Sequence, residues 1–265
     1  MALGSGRVAL VVGDAVGHGV PAAGAMSRLR GAMRSSALRD PSPAAVLAAL
    51  DAFAAQMEDV EGASVFYGVL DAGTGEFAYA AAGHPPPLVV GPDGRTNFLP
   101  VPPRPPLGSL PDVATTVTRH VLEQGATLVL FSNGAVAGPA ADASDALDRL
   151  AEVAVEVLAT PGVLETEGPT EPAAAIAEGV RSPEGWLDDV AVLVAHRRDD
   201  TQDPLQIELT ADPAALPGVR RRLSTWLTAL GMGEQDRVGV MVAVGRRART
   251  PPSTPTAVPS PGRCR

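Results

Sequence analysis

The sequence has few aromatic residues and almost no cysteine. Phe, Trp and Tyr make up 3% of the 265 residues, so a hydrophobic core must rest on Ala, Val and Leu. The single cysteine, Cys264, excludes an internal disulfide framework and a zinc site built on several thiolates, and it predicts a reducing compartment. Apolar runs stay well short of the roughly 20 residues that span a bilayer, and the beginning of the chain lacks a secretory signal pattern. We therefore expect a cytoplasmic protein without a membrane partner.

Positive charge is also scarce. The chain has 21 Lys and Arg residues against 30 Asp and Glu residues, which gives a formal net charge of -9. This balance argues against nucleic acid as a partner, because no phosphate-neutralising surface is implied. It is compatible with carboxylates gathered around metal ions. The length and the 45% of hydrophobic residues allow one large domain, or one domain plus a fragment.

The most informative segment is GDAVGHG at 13–19. It follows an apolar, β-branched run at 8–12 and precedes a stretch of helical spacing that begins at Pro21. The pattern predicts a strand, a tight glycine turn and a helix, with the carboxylate of Asp14 at the end of the strand. Such a carboxylate either caps the turn as a structural device or holds a hard cation, and this motif alone does not decide between the two.

Two later segments repeat the pattern of a strand that ends in polar groups. LVLFSNG at 128–134 ends in Asn133, and WLDD at 186–189 leads into an apolar run at 190–195. Strand ends that are far apart in sequence can converge on one site, and these three are the candidates.

The order of the elements predicts an α+β fold. Helical spacing occurs over 21–38, from 43 through Phe53, over 146–158 and over 173–180. Strand-like stretches cover 63–70, 76–81, 88–90, 96–99, 113–122, 127–131 and 190–195. Consecutive antiparallel strands with helices grouped between them favour α+β over an alternating parallel sheet.

The C-terminal quarter differs in character. Residues 198–204 are typical of a linker, and the pattern then predicts a strand at 205–209, a helix over 213–230 and an apolar stretch at 238–244. Residues 246–265 change abruptly to Arg, Pro, Ser and Thr, a composition that predicts disorder.

Taken together, these motifs resemble the SpoIIE/RsbU branch of the metal-dependent PPM-type protein phosphatases over residues 8–196. The matching pieces are GDAVGHG with the following PAAGAMSRLRGAMR, AAGHPPPLVV at 81–90, PPLG at 105–108, LVLFSNG at 128–134 and DDVAVLVA at 188–195. The resemblance implies a four-layer α-β-β-α sandwich with two Mn²⁺ or Mg²⁺ ions at one end of the sheets. In such enzymes the metals activate a water that attacks a phosphoserine or phosphothreonine.

The resemblance also implies roles for particular residues. Asp14 matches the bridging carboxylate, and the backbone carbonyl of Ala15 matches a neighbouring ligand. Asp188 matches a ligand of the second metal, with Asp189 beside it as a further candidate. Asp14 and Asp188 are the predicted catalytic residues.

The chain departs from this family pattern in several places. Asn133 stands where a Thr-Asp-Gly motif normally supplies an Asp ligand, so a neutral amide oxygen replaces a carboxylate and metal affinity should fall. Ala137 stands where a further acidic residue is usual. The upstream Gly-Gly-Asp-type segment is absent, so we expect an N-terminally incomplete domain with its first strands missing and an uncovered sheet edge.

Residues 205–245 resemble the start of a GHKL-type, anti-sigma-factor-like ATPase domain, which would form a partial second α+β module. The acid and Asn that hold Mg-ATP in that fold are missing, so we name no nucleotide site. The change of composition after Gly245 favours a frameshift or a misassigned gene end. The predicted organisation is a phosphatase domain at 1–197, a linker at 198–204, the GHKL fragment at 205–245 and a disordered tail at 246–265.

Two functional hypotheses follow. The first is a metal-dependent phosphatase of reduced activity, whose substrate would be a phosphorylated anti-anti-sigma-factor-like protein in a partner-switching pathway. The second is an inactive pseudophosphatase or a binding module with a degraded metal site, or the product of a broken gene. The oligomeric state, including a homodimer, stays open.

Other polar residues carry weaker signals. His18 orients phosphate or a metal-bound water, or it is a hydrogen-bonded turn residue, and the second interpretation is preferred. His84 is expected to fix its turn through a backbone contact. Arg28, Arg30 and Arg34 fit a solvated helix face better than a site for an acidic partner.

Overall fold

A computed structural model of the protein describes residues 1–4, 6–110, 114–137, 143–164, 171–182, 185–186, 188–198, 216–229, 237–238 and 240–241. The chain divides into two compact units, Met1–Asp200 and Thr201–Arg265. Most of the predicted linker, the strand at 205–209 and the tail at 246–265 lie outside the described residues. Within those residues, every helix is too short or too polar to cross a bilayer.

Two antiparallel sheets form the centre of the first unit. The first sheet has the order β1-β2-β3-β4-β7, with β1 at Ala2–Gly4, β2 at Arg7–Asp14, β3 at Ser64–Asp71, β4 at Glu76–Ala82 and β7 at Thr118–Val121. The second sheet has the order β6-β5-β8-β9, with β5 at Leu88–Val90, β6 at Thr96–Phe98, β8 at Thr127–Phe131 and β9 at Val192–His196.

Four helices cover the outer faces of these sheets. They are α1 at Gly19–Arg39, α2 at Pro43–Ala54, α3 at Ala143–Leu158 and α4 at Pro172–Val180. Pro43 starts α2 because a proline lacks the amide hydrogen that the first turn leaves unpaired. In the second unit, α5 occupies Leu216–Ala229 within the helix predicted at 213–230.

Three hydrophobic clusters show the layering. In the first, Leu29 of α1 and Leu47 of α2 pack with Tyr67 of the first sheet. The second lies between the two sheets, and the third joins α3 and α4 to the outer face of the second sheet. The predicted α+β class and α-β-β-α sandwich are confirmed.

A proline-rich loop at 99–109 is held against α2 by a buried ion pair. Arg104 Nη2 donates to Asp51 Oδ2 at 3.1 Å, and the two side chains are only 6% and 14% exposed. The other carboxylate oxygen of Asp51 accepts the Gly108 amide at 3.0 Å. Because prolines offer no amide hydrogens to a strand ladder, these side-chain contacts add to backbone hydrogen bonds such as the one from the Leu107 amide to the Ala63 carbonyl in positioning the loop.

His84 fixes the turn that follows β4, as the sequence predicts. Its Nδ1 lies 3.0 Å from the carbonyl oxygen of Pro85, and its ring packs against Phe66 with centroids 5.9 Å apart. Its Nε2 is buried without a hydrogen-bond partner among the described residues. Burial lowers the pKa of His84 to about 4, against the weaker opposing effect of the Pro85 contact.

This histidine should make the fold acid-sensitive. The folded state keeps His84 neutral down to about pH 4, whereas the unfolded chain takes up the proton near pH 6.5. The contribution to stability is therefore complete above pH 6.5 and is lost as the pH falls towards 4, by about 3 kcal/mol. Urea unfolding at both ends of this window should show a smaller acid loss for His84→Gln than for the wild type. Equal losses would contradict the assignment.

The structure differs from the sequence-based expectations at several strands. β1 was not predicted, and it pairs with β2 at the start of a domain for which we expected missing first strands and an uncovered sheet edge. β7 covers four residues of the stretch expected at 113–122, of which 113 lies outside the described residues. β9 begins at Val192 and not at 190, because the amide of Ala191 donates to the Ser132 hydroxyl and is not part of the ladder.

Arg28, Arg30 and Arg34 of α1 are exposed, as expected. Arg28 pairs with Asp59, and Arg30 and Arg34 are exposed to solvent. Leu29 and Met33 of the same helix lie in the core.

Candidate metal centre

The glycine turn places Asp14 at the rim of the first sheet. Asp14 is the last residue of β2 and lies opposite Ser64 of β3. The chain then reverses through Gly17 and Gly19, whose φ angles of 90° and 75° are readily adopted only by glycine. His18 is the N-cap of α1, but its exposed side chain makes no capping hydrogen bond.

A buried serine joins the end of β8 to the loop that precedes β9. The Ser132 hydroxyl donates to the carbonyl oxygen of Asp189 at 3.2 Å and accepts the Ala191 amide at 3.0 Å. The Ser132 amide also donates to the Ala191 carbonyl at 2.9 Å. These bonds hold the Asp188–Asp189 segment beside Asn133.

Gly134 allows the loop that carries Asp189 to lie close to the turn after β8. A Cβ at this position would collide with the backbone carbonyl of Asp189. Ser132 and Gly134 therefore position this loop. Both belong to a motif found in the sequence, but the sequence alone predicted no role for either residue. The available signal was a small polar residue and a glycine directly after a fully apolar strand.

All five predicted site residues line one cavity of about 720 Å³. Asp14 reaches it from the end of β2 and Ala15 from the turn that follows. Asn133 reaches it from the turn after β8, and Asp188 and Asp189 from the loop before β9. The remaining lining residues are Val16, Gly17, His18, Gly62, Ser64, Gly83, Pro106 and Trp186. The three strand ends therefore meet, as the sequence pattern suggested.

Negative charge in this cavity is incompletely compensated. Burial raises the pKa of the Asp14 carboxyl, the carboxylates of Asp188 and Asp189 raise it further, and a hydrogen bond from the Ala15 backbone opposes them. The Asp189 amide donates to Asp188 Oδ1 at 2.8 Å. Within the described part of the chain, no group of three or more His, Cys, Asp or Glu side chains is assembled tightly enough to hold a metal ion on its own. The cavity therefore brings oxygen donors together, but their side chains do not form a complete coordination site.

Comparisons with known proteins agree with this architecture. The family model for stage II sporulation protein E (SpoIIE) matches residues 4–198. A crystal structure of the RsbU and RsbW domains of Rv1364c from Mycobacterium tuberculosis is 31% identical, with a TM-score of 0.70, covering 92% of this chain and 68% of that one.

Two further solved structures share the fold at lower identity. The PP2C phosphatase domain and a fragment of the regulatory domain of SpoIIE from Bacillus subtilis matches with a TM-score of 0.60 and 16% identity, over 73% of this chain and 56% of that one. The SiaA-PP2C domain of Pseudomonas aeruginosa matches with a TM-score of 0.56 and 17% identity, over 72% and 79%.

The fold is that of the PPM/PP2C class of serine/threonine phosphatases, which are hydrolases. Within this class, the chain belongs to the SpoIIE family.

Proposed function

We propose that the cavity removes phosphate from phosphoserine or phosphothreonine on a regulatory protein, with two Mn²⁺ or Mg²⁺ ions as cofactors. The observation that carries this proposal is the meeting of Asp14, Asn133, Asp188 and Asp189 in one cavity at the end of the two sheets. Membership of a phosphatase family supports the same conclusion.

The donor set fits hard divalent cations. Carboxylate, amide and carbonyl oxygens are the ligands that Mg²⁺ and Mn²⁺ prefer. Burial raises the pKa of Asp14 and the carboxylates of Asp188 and Asp189 raise it further, and a bound cation would relieve the repulsion between these carboxylates. We assign Asp14 as the bridging carboxylate, the Ala15 carbonyl as its neighbour, and Asp188 and Asp189 as ligands of the second ion.

When bound, two such ions supply a water activated near neutral pH and neutralise charge on the phosphoryl group. The protein positions the residues that would hold these ions. Ser132 fixes the loop that carries Asp188 and Asp189, and the glycine turn holds Asp14 at the cavity. We assign Asp14 and Asp188 as the catalytic residues.

The partner we propose is a phosphorylated anti-anti-sigma-factor-like protein in a partner-switching pathway. The support is the 31% identity to a structure that contains an RsbU domain. That alignment covers 92% of this chain, more than the family model does. We retain the ATPase-domain fragment at residues 205–245 as a proposal, and most of this segment lies outside the described residues.

Because Asn133 replaces a carboxylate ligand with a neutral amide, we propose that the phosphatase activity is reduced. The same substitution supports a second candidate function, that of an inactive binding module. An Asn133→Asp variant restores a carboxylate, so we expect its apparent affinity for Mn²⁺ to rise at least about tenfold, because ligand charge tunes affinity for hard cations. A Mn²⁺ titration of phosphopeptide hydrolysis measures this. Asn97→Asp, which adds the same charge on exposed β6, is the matched control.

The two outcomes that count against these proposals are distinct. If wild type binds Mn²⁺ as tightly and is as active as Asn133→Asp, the argument from the lost carboxylate is wrong. If neither protein shows metal-dependent turnover while folded, the binding-module alternative stands and the enzymatic proposal for this chain falls.

A further inference from the structure

The mouth of the cavity carries exposed apolar side chains. Val16 and Trp186 line the cavity and are 68% and 40% exposed, and Val20, two residues beyond His18, is 86% exposed. We call Val16, Val20 and Trp186 the apolar rim. Two of the exposed large hydrophobic side chains among the described residues, Val16 and Trp186, therefore line this cavity, and Val20 follows its glycine turn at the start of α1.

Local structure explains why the apolar rim stays uncovered. Val16 lies in the turn between Asp14 and α1, and a Cβ at Gly62 would lie 3.0 Å from its Cγ2, so one side of it rests on that glycine. Val20 is in the first turn of α1, ahead of Ala22, which is partly buried against the core, and of Ala25, the first fully buried residue of the helix. Neither valine therefore serves the core, and exposed apolar groups beside a concave site are typical of interaction surfaces.

Charge in the cavity restricts what the apolar rim can receive. Asp14, Asp188 and Asp189 are acidic, and none of the described residues that line the cavity is Lys or Arg. No Lys or Arg among the described lining residues is therefore available to pair with acidic residues next to the phosphorylated residue. A peptide with apolar residues there would bury them against the rim as the phosphate entered.

We propose that the apolar rim is a docking surface for apolar side chains that flank the phosphorylated residue of a protein substrate. This rests on the proposed phosphatase function, and it names the feature by which the site selects its substrate. The apolar rim is continuous with the cavity. When the phosphate of a substrate reaches Asp14, the residues next to the phosphorylated residue are brought onto Val16 and Trp186.

Two phosphoserine peptides test the proposal on the full chain. They differ only in whether two leucines or two serines flank the phosphoserine on each side. Fluorescence anisotropy gives Kd and metal-dependent hydrolysis gives kcat/KM. We expect the leucine peptide to be favoured about tenfold in both, because burying a large aliphatic side chain contributes that much.

A double variant, Val20→Ser with Trp186→Ser, should reduce this preference to less than threefold. Leu38→Ser is the matched control, since Leu38 is 78% exposed near the opposite end of α1 and should leave the preference intact. Each preference is the ratio of the values for the two peptides, measured on one protein preparation. A partial loss of folded protein therefore affects both values equally and does not change the ratio.

The outcomes separate the two proposals. A leucine preference in Kd without turnover supports the docking surface and overturns the phosphatase proposal for this chain. Turnover with equal preference for both peptides, or a preference that survives the double variant, overturns the docking surface.

Discussion

An Asp14→Asn variant should lose metal-dependent phosphatase activity by about a thousandfold, since about 4 kcal/mol of charge stabilisation depends on the proposed bridging carboxylate. Asn keeps the shape of the side chain but removes its charge. Hydrolysis of a phosphopeptide at saturating Mn²⁺ measures the loss. Asp148→Asn, at an exposed position on α3, is the control that should keep full activity.

The same variant should be more stable than wild type when no metal is added. Burial and the neighbouring Asp188 and Asp189 raise the pKa of Asp14, which means that its charge is unfavourable in the folded protein. Removing that charge should raise the Tm of the metal-free protein and abolish the further rise in Tm that we expect Mn²⁺ to produce in the wild type. A variant that still gains stability from Mn²⁺ as wild type does would contradict the role of Asp14.

An Asp51→Ala variant should lose about 3–5 kcal/mol of unfolding free energy. The substitution leaves the Arg104 guanidinium buried without its carboxylate, which is a costly arrangement. It also removes the acceptor of the Gly108 amide, so both ends of the loop segment lose their attachment to α2. Chemical denaturation at neutral pH measures the change.

The control for this variant is an exposed pair in the same chain. Glu178 and Arg181 are joined at 3.0 Å with 68% and 47% of their side chains exposed, so Glu178→Ala should cost well under about 1 kcal/mol. A similar small cost for Asp51→Ala would show that water replaces the lost carboxylate and that the pair does not anchor the loop.

Local patterns in the sequence were sufficient for much of the fold. The glycine turn after β2 and the apolar runs of β3, β4 and β8 are local signals, and the structure places these elements within one or two residues of their predicted bounds. The meeting of Asp14 with Asn133 and Asp188 followed from a shared pattern at three strand ends. The metal-binding roles of these residues remain predictions.

Contacts between distant residues were beyond the reach of the same reasoning. Asp51 and Arg104 are 53 positions apart, and neither lies in a motif that reveals its partner. The hydroxyl of Ser132 and the missing side chain of Gly134 matter only because the loop of Asp189 is packed onto them. Such requirements come from tertiary packing, which no local period or turn signal encodes.

The order of the strands links the two sheets into one folding unit. The chain passes from β4 in the first sheet to β5 and β6 in the second, returns to β7, and crosses again to β8 and β9. Neither sheet is therefore a contiguous segment that can form early by itself, and both must be completed together. Because pairing of distant strands requires closing long loops, this topology favours slow, cooperative folding, and the cavity comes into existence only when the last strand has joined.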